Sequence, residues 1–248
     1  MSKTILITGA SRGIGHATAV LAAQRGWSVG INYSGNEDAA RATLAAVSAA
    51  GGRGIVIKGD VASEEDVRAM FAATVAAFGG LDGLVNNAGI IAPAAKLADM
   101  DLARLQRMFA VNVTGACLCA REAARTMSRS RGGRGGAIVN LSSVAAKLGA
   151  PGEYLDYAVS KGAVDTLTVG LARELAGEGV RVNGVRPGII DTDIHASGGR
   201  PDRAAQMGPG VPMGRAGTAA EVAEAIVWLL SDAASYVTGT TVDVTGGR

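Results

Sequence analysis

Short apolar runs alternate with amphipathic stretches along nearly the whole chain. The runs Thr4–Thr8, Ser28–Tyr33, Gly54–Gly59, Leu81–Asn86, Ala137–Leu141, Val180–Arg186 and Thr241–Val244 have the length and β-branched content of strands. The segments between them, Gly13–Arg25, Glu37–Ala50, Glu64–Phe78, Leu102–Ser128, Tyr154–Ala176 and Ala219–Ser231, carry the helical pattern. Thr218 followed by Glu221 forms a capping box at the start of the last helix. Strand, helix, strand in repetition means crossover connections, and hence a parallel sheet with helices on both faces. Strands covered on both sides must be apolar throughout, as Ile5-Leu6-Ile7 and Ile55-Val56-Ile57 are. The pattern predicts a single α/β domain, residues 1–248, with a doubly wound parallel sheet of about seven strands.

Two segments break the rhythm. Ser128–Gly136 reads Ser-Arg-Ser-Arg-Gly-Gly-Arg-Gly-Gly. It is short and sits between a helix and a strand, so it reads as a solvated surface loop rather than a nucleic-acid-binding tail. Ile189–Gly217 is rich in Gly and Pro and holds His195, Met207 and Met213. A stretch this long inside a compact domain predicts a substrate-binding lid over a site, residues 189–217.

Composition narrows the picture. Of the 248 residues, 48% are apolar and 19% charged, which suits one soluble globular domain. Aromatics make up only 4%, so the core must be built from Ala, Val, Leu and Ile. A net charge of +2 gives no reason to expect nucleic acid or a membrane surface as a partner. Cys117 and Cys119 lie two apart on a predicted helix and should not face one another. The first residues run straight into a strand pattern with no basic lead or cleavage site, and no apolar run approaches a membrane span. The expectation is a cytoplasmic protein. His16 and His195, without ligand-spaced partners, predict no metal site.

Four local patterns carry chemistry. Thr8-Gly9-Ala10-Ser11-Arg12-Gly13-Ile14-Gly15 follows the first strand and opens the first helix. Its glycines allow a sharp turn and close approach to a pyrophosphate, whose charge meets the free N–H groups of the helix N-terminus. A fold of this kind that prefers NAD carries an acid at the end of the second strand, about 20 residues on, for the ribose 2′-hydroxyl. Here that strand ends Asn32-Tyr33-Ser34, and Arg12 in the glycine loop can meet a 2′-phosphate instead. The prediction is NADP(H), with NAD(H) the alternative if Arg12 is only a solvated loop residue. Third, Tyr157 and Lys161 lie four apart on one helical face. A nearby ammonium favours the phenolate, lowering a pKa that is otherwise about 10, and so suits Tyr157 to proton transfer. Fourth, Asn140-Leu141-Ser142-Ser143 ends the strand before that helix, where α/β sheets bind their ligands.

On these residues the chain resembles the short-chain dehydrogenases/reductases over essentially its full length. Gly9-x-x-x-Gly13-x-Gly15 is similar to that family's cofactor fingerprint, and Asp60-Val61 to its adenine-contacting pair. Asn86-Asn87-Ala88-Gly89 matches its signature after the fourth strand. The resemblance implies a single-domain Rossmann fold. It implies a catalytic tetrad of Asn112, Ser143, Tyr157 and Lys161. Cofactor contacts then fall to Gly9, Ser11, Arg12, Gly13, Ile14, Gly15, Asn32, Tyr33, Ser34, Asp60, Val61, Asn87, Ala88, Gly89, Tyr157 and Lys161. Pro187, Gly188, Ile190 and Thr192 match the segment that holds the nicotinamide carboxamide. In the implied mechanism Ser143 and Tyr157 grip the substrate oxygen, Tyr157 donates the proton, Lys161 lowers the Tyr157 pKa, and Asn112 orders a water. One departure stands out: Ser143 and Tyr157 are one residue further apart than is commonest in the family, which assigns an extra residue to Lys147–Glu153 and an altered pocket shape. This loop resembles a subgroup of glucose-dehydrogenase-like or uncharacterised oxidoreductases.

The implied activity is hydride transfer between NADP(H) and the carbonyl or alcohol carbon of a small substrate. Within it, 3-oxoacyl thioesters, sugars and small ketones remain open. A carrier-protein substrate would use a basic patch such as Arg125, Arg129 and Arg131, and a sugar would use Glu153, Asp191 and His195. A non-catalytic NADP(H) sensor or scaffold is the rival from another class, although such proteins lose the Tyr or Lys kept here. The family's habit implies a homotetramer, or a dimer.

Overall fold

The computed structural model describes residues 2–248. The elements follow the sequence in order. They are β1 (Thr4–Ile7), α1 (Gly13–Gln24), β2 (Ser28–Tyr33), α2 (Glu37–Ala49), β3 (Arg53–Lys58), α3 (Glu64–Phe78) and β4 (Gly83–Asn86). Then come α4 (Leu102–Phe109), α5 (Ala116–Met127), β5 (Gly136–Leu141), α6 (Ala145–Leu148), α7 (Leu155–Leu175) and β6 (Val180–Pro187). The chain closes with β7 (Ile190–Asp191), α8 (Ile194–Ser197), α9 (Arg203–Met207), β8 (Gly217–Thr218), α10 (Ala219–Leu230) and β9 (Thr241–Val244). Seven strands form one parallel sheet in the order β3-β2-β1-β4-β5-β6-β9. β7 and β8 pair separately.

The period of two along β1 explains the layers. Ile5 and Ile7 face one side, where α1 and α10 cover them with Ala19, Ala22, Ala23, Ile226 and Leu229. Leu6 faces the other, against Met70 and Phe71 of α3, Met127 of α5 and Leu175 of α7. The capping box of Thr218 and Glu221 starts α10. Strand order reverses between β1 and β4, so a crevice opens there at the carboxyl ends of the strands.

Two elements differ from the sequence pattern. The predicted helix Leu102–Ser128 is not continuous: residues Ala110–Gly115 widen into a π-turn between α4 and α5. Gly115 lies so close to β3's exit that a Cβ there would stand 2.8 Å from Val61 Cγ2, so the backbone is drawn in locally. The predicted loop Ile189–Gly217 contains β7, α8, α9 and β8 rather than irregular chain alone. The Arg-Gly run is a fitted turn. A Cβ on Gly133 would meet the Met127 backbone at 2.3 Å, and one on Gly135 the Gly179 carbonyl oxygen at 2.5 Å. Cys119 is buried and Cys117 exposed, and both are free. Among the described residues no helix is long and apolar enough to cross a membrane.

Candidate active site

The glycine loop is built by its neighbours. Asn87 Nδ2 donates to the Thr8 and Gly9 carbonyls at 2.8 and 3.0 Å, and Thr8 Oγ1 accepts from the N–H groups of Asn87 and Ala88. Asn32 Oδ1 accepts from the Gly9 N–H at 3.1 Å, while its Nδ2 donates to the carbonyls of Ile57 and Gly59. Asn32 and Asn87, both predicted cofactor contacts, therefore spend their side chains holding the loop. A Cβ at Gly15 would lie 2.6 Å from the Gly9 oxygen and 2.9 Å from Ala10 Cα, so only glycine fits where the loop meets α1. Arg12 precedes α1 without capping it, and the first turn holds no acid, which leaves its N–H groups open to an anion.

A groove of about 370 Å³ runs from this loop along the strand ends. Ser11, Arg12, Ile14, Tyr33, Ser34, Asp60, Val61, Ala88, Gly89 and Thr192 all border it. A nicotinamide dinucleotide fits this donor set: backbone N–H groups and glycine for a pyrophosphate, with hydroxyls and no acid at the end of β2. Glu37, the first acid beyond β2, is bonded by Arg41 at 2.6 Å instead. Asp60 accepts from Arg107 at 3.2 Å, and Arg107 borders the groove as a residue no local motif had marked.

A second cleft, about 380 Å³, adjoins the groove and shares Ile14, Asn87, Gly89, Thr192 and Ile194 with it. It brings Ser143, Tyr157 and Lys161 together with Pro187, Gly188 and Ile190. The two serines after β5 part company. Ser142 is buried and donates to the Lys161 carbonyl at 3.1 Å, whereas Ser143 accepts from the Ala145 N–H at 3.1 Å and lines the cleft with Tyr157. Asp156, wholly buried, accepts from the Tyr157 N–H at 2.9 Å and fixes the first turn of α7. Lys161 is buried, and its Nζ donates to the Leu141 carbonyl at 2.6 Å. Burial pulls its pKa from the ordinary 10.5 to about 8, against a smaller opposing pull from Asp165.

One expectation about the tetrad changes. Lys161 was to lower the Tyr157 pKa, yet the phenol is raised by burial, and only Ser143 draws it down. The reason is direction: Lys161 Nζ is tied to Leu141 and stands 5.6 Å from the centre of the Tyr157 ring. The Asn112 side chain is engaged: Oδ1 accepts from Ile90 N–H at 2.8 Å, and Nδ2 donates to the Ile90 carbonyl and Ser160 Oγ at 3.0 and 3.1 Å. It buttresses the segment after β4 against α7. A Cβ on Gly89 would lie 3.4 Å from Asn112 Oδ1 and 3.5 Å from Lys161 Nζ, which shows how closely the three converge.

The far wall of the cleft is apolar, with Ile91, Val144, Leu148, Ile189 and Met207. Glu153, Tyr154, His195, Arg203 and Arg248 complete it. Met207 and Arg203 fall within the predicted lid, whereas nothing in its local spacing marks Ile91.

A family model described as Enoyl-(Acyl carrier protein) reductase matches residues 9–248. The chain belongs to the short-chain dehydrogenase/reductase family. It is an oxidoreductase of that family, whose members use nicotinamide cofactors. It is 52% identical over 243 residues to the uncharacterized oxidoreductase YgfF of Escherichia coli, covering 98% of each chain. It is 38% identical to the 3-oxoacyl-[acyl-carrier-protein] reductase FabG of Staphylococcus aureus over 100% of this chain and 98% of that one. Among solved structures, a short-chain type dehydrogenase/reductase from Mycobacterium marinum superposes with a TM-score of 0.92 at 36% identity, covering 99% of this chain and 94% of that chain.

Proposed function

We propose that this short-chain dehydrogenase/reductase uses NADP(H) to interconvert a small carbonyl compound and its alcohol, with Tyr157 as general acid and base. The observation that carries the reading is the convergence of Ser143, Tyr157 and Lys161 in a cleft that opens into the glycine-loop groove. NADPH, when bound, supplies the hydride. Gly9, Gly13, Ile14 and Gly15 would hold its pyrophosphate, and Arg12 with Ser34 its 2′-phosphate. Ile190 and Thr192 would hold the carboxamide. Ser143 and Tyr157 hold the substrate oxygen, so that Tyr157 gives up its proton as negative charge grows there. Lys161, its pKa drawn down to about 8 by burial, supplies a positive charge beside the cleft and would hold the nicotinamide ribose. Asn112 acts as a positioning residue through Ile90 and Ser160.

Residues 189–217 form the lid of this cleft. Arg12 Nη2 donates to Ser197 Oγ at 3.4 Å, and Tyr154 OH to the Gly198 carbonyl at 3.5 Å, which ties the lid to both the cofactor loop and the substrate loop. The apolar far wall favours a ketone or an acyl chain over a sugar, and the likeness to FabG makes 3-oxoacyl thioesters a substrate class to test. Leu102, Phe109, Val159 and Val169, exposed on α4 and α7, support assembly into a homotetramer, which light scattering would weigh.

The test has two steps. NADPH and NADH are titrated against the protein by nicotinamide fluorescence, and ketones, thioesters and sugars are then screened by absorbance with the tighter cofactor. Tighter NADPH binding with turnover on a carbonyl is the expected outcome. Tyr157→Phe keeps NADPH binding and loses nearly all turnover. Tight binding without turnover on any class would favour a sensor instead.

A further inference from the structure

The substrate cleft has one wall whose charge the reaction does not use. Glu153, in the loop before α7, receives two guanidinium groups from the lid. Arg200 Nη1 lies 2.6 Å from its Oε1, and Arg203 Nη1 2.8 Å from its Oε2. One carboxylate against two guanidinium groups leaves the cluster with a positive charge. The two arginines are not equivalent. Arg200 donates a hydrogen bond to Glu153 and a second to Gln206 at 3.4 Å. Arg203 is stacked over the Tyr154 ring, 5.0 Å from its centre, and its side chain is only 11% exposed. Its buried Nη1 is ion-paired with Glu153, although the N–H vectors of that nitrogen are not aligned for a good hydrogen bond. Arg203 borders the cleft that holds Ser143 and Tyr157, and its guanidinium has N–H positions that the Glu153 carboxylate does not take.

The neighbours leave the charge standing. His195 Nε2 donates to the Ile190 carbonyl at 2.8 Å, and burial together with the Arg203 charge pushes the ring toward the neutral form. Glu153 is the only acid bordering the cleft among the described residues, whereas Lys161, Arg203 and Arg248 all border it.

We propose that Arg203 is the anchor for a substrate carboxylate, so that the preferred substrates are short aliphatic oxo acids with the carboxylate on Arg203 and the carbonyl at Ser143 and Tyr157. The inference rests on the carbonyl-reductase reading above. The apolar wall of Ile91, Leu148 and Met207 accommodates the chain between the two polar ends. A planar carboxylate can take two parallel N–H bonds from the guanidinium, and the stacked Tyr154 ring holds that plane in place.

The test compares Arg203→Met with Glu153→Gln, using 4-oxopentanoate and 5-oxohexanoate, their methyl esters, and neutral ketones of matching length. Folding of both variants is checked by thermal melting. If Arg203 and Glu153 only latch the lid, both variants break the same contact and shift KM in the same direction. If Arg203 binds the carboxylate, they move apart. The preference for acid over ester, read in KM, falls roughly ten- to hundredfold in Arg203→Met and rises in Glu153→Gln, where both guanidinium groups are released. Shifts in the same direction, or an ester preferred by the wild type, overturn the proposal while leaving carbonyl reduction intact. Calorimetry with hexanoate and hexanamide decides independently of turnover. Wild-type protein binding hexanoate more tightly, with that margin lost in Arg203→Met, supports the anchor, and equal binding of acid and amide overturns it. Absence of turnover on every carbonyl together with a retained hexanoate margin would remove the reductase reading and keep the anion site.

Discussion

Arg104→Met should be among the most damaging single changes outside the catalytic residues. Arg104, on α4, meets Asp156 through Nε–Oδ2 at 2.8 Å and Nη2–Oδ1 at 3.2 Å, and its Nη1 donates to the Pro93 carbonyl at 2.7 Å. The Asp156 side chain is wholly buried and that of Arg104 only 16% exposed, so solvent screens the pair little. Methionine fills much of the same space but leaves the carboxylate with only the Tyr157 N–H as a partner. An uncompensated buried charge of this kind costs about 3–5 kcal/mol. In a domain of this size that corresponds to a fall in Tm on the order of 10 °C. Asp156→Asn costs less, about 1–3 kcal/mol, because Arg104 can still reach water and the Pro93 carbonyl. The double variant Arg104→Met/Asp156→Leu recovers most of the loss, since neither charge is then stranded. Urea unfolding of the wild type, Arg104→Met, Asp156→Leu and their double variant closes the cycle and measures the coupling. Because Asp156 also holds the Tyr157 N–H, Arg104→Met should lower kcat more than it weakens NADPH binding. An Arg104→Met cost below about 1 kcal/mol, or a double variant equal to the sum of the singles, would refute the reasoning.

Further expectations bear on the cofactor and on pH. Gly15→Ala drives a Cβ into the Gly9 carbonyl and should abolish NADPH binding measured by fluorescence, with the fold retained by circular dichroism. Arg12→Ser should lower the ratio of NADPH to NADH affinity by roughly tenfold or more, as loss of a charged hydrogen bond does, and an unchanged ratio would remove Arg12 from 2′-phosphate recognition. Carbonyl reduction should fall as pH rises through about 8, where Lys161 loses its proton. Asp165 opposes the burial of that charge, so Asp165→Asn should move this limb to lower pH, and a limb that stays put would assign it to another group. The same group couples to stability. With its folded pKa near 8 and its ordinary value 10.5, Lys161 binds fewer protons in the folded chain than in the unfolded one. Its contribution to stability therefore rises with pH from about 8 to 10, and Tyr157, raised above 10, opposes it beyond that window. Denaturant midpoints at pH 7 and 9, compared with those of Lys161→Met, read that contribution.

The sheet was legible because its causes are local. Strands buried on both faces, such as Ile5-Leu6-Ile7, need apolar side chains at every position, and no amphipathic helix reads that way. The π-turn at Ala110–Gly115 was not legible, since no proline or glycine pair marks it and its cause is the approach of Gly115 to Val61 across the fold. Residues 189–217 read as a loop for a similar reason: β7 exists only because Gly217 N–H reaches back to the Ile189 carbonyl at 2.9 Å.

At the site the division runs between which residues meet and what they do to each other. The four-residue spacing put Tyr157 and Lys161 on one face, and the strand end put a serine beside them, and these residues line one cleft. The inference from that spacing to a lowered Tyr157 pKa needed the ammonium to point at the phenol. Its direction is set by Leu141, at the end of β5 and twenty residues away, which no helical periodicity encodes. Asn32 shows the same limit from the other side. Its position beside the cofactor groove followed from the strand end, but its amide is claimed by Gly9, Ile57 and Gly59. A buried amide with four hydrogen-bonding positions goes first to the backbone groups that would otherwise be stranded, because leaving those unpaired costs more than one ligand contact returns. Arg203 obeys that rule in reverse. It is the guanidinium beside the reacting groups that the fold has not fully paired, and it is therefore the group most exposed to the choice of substrate.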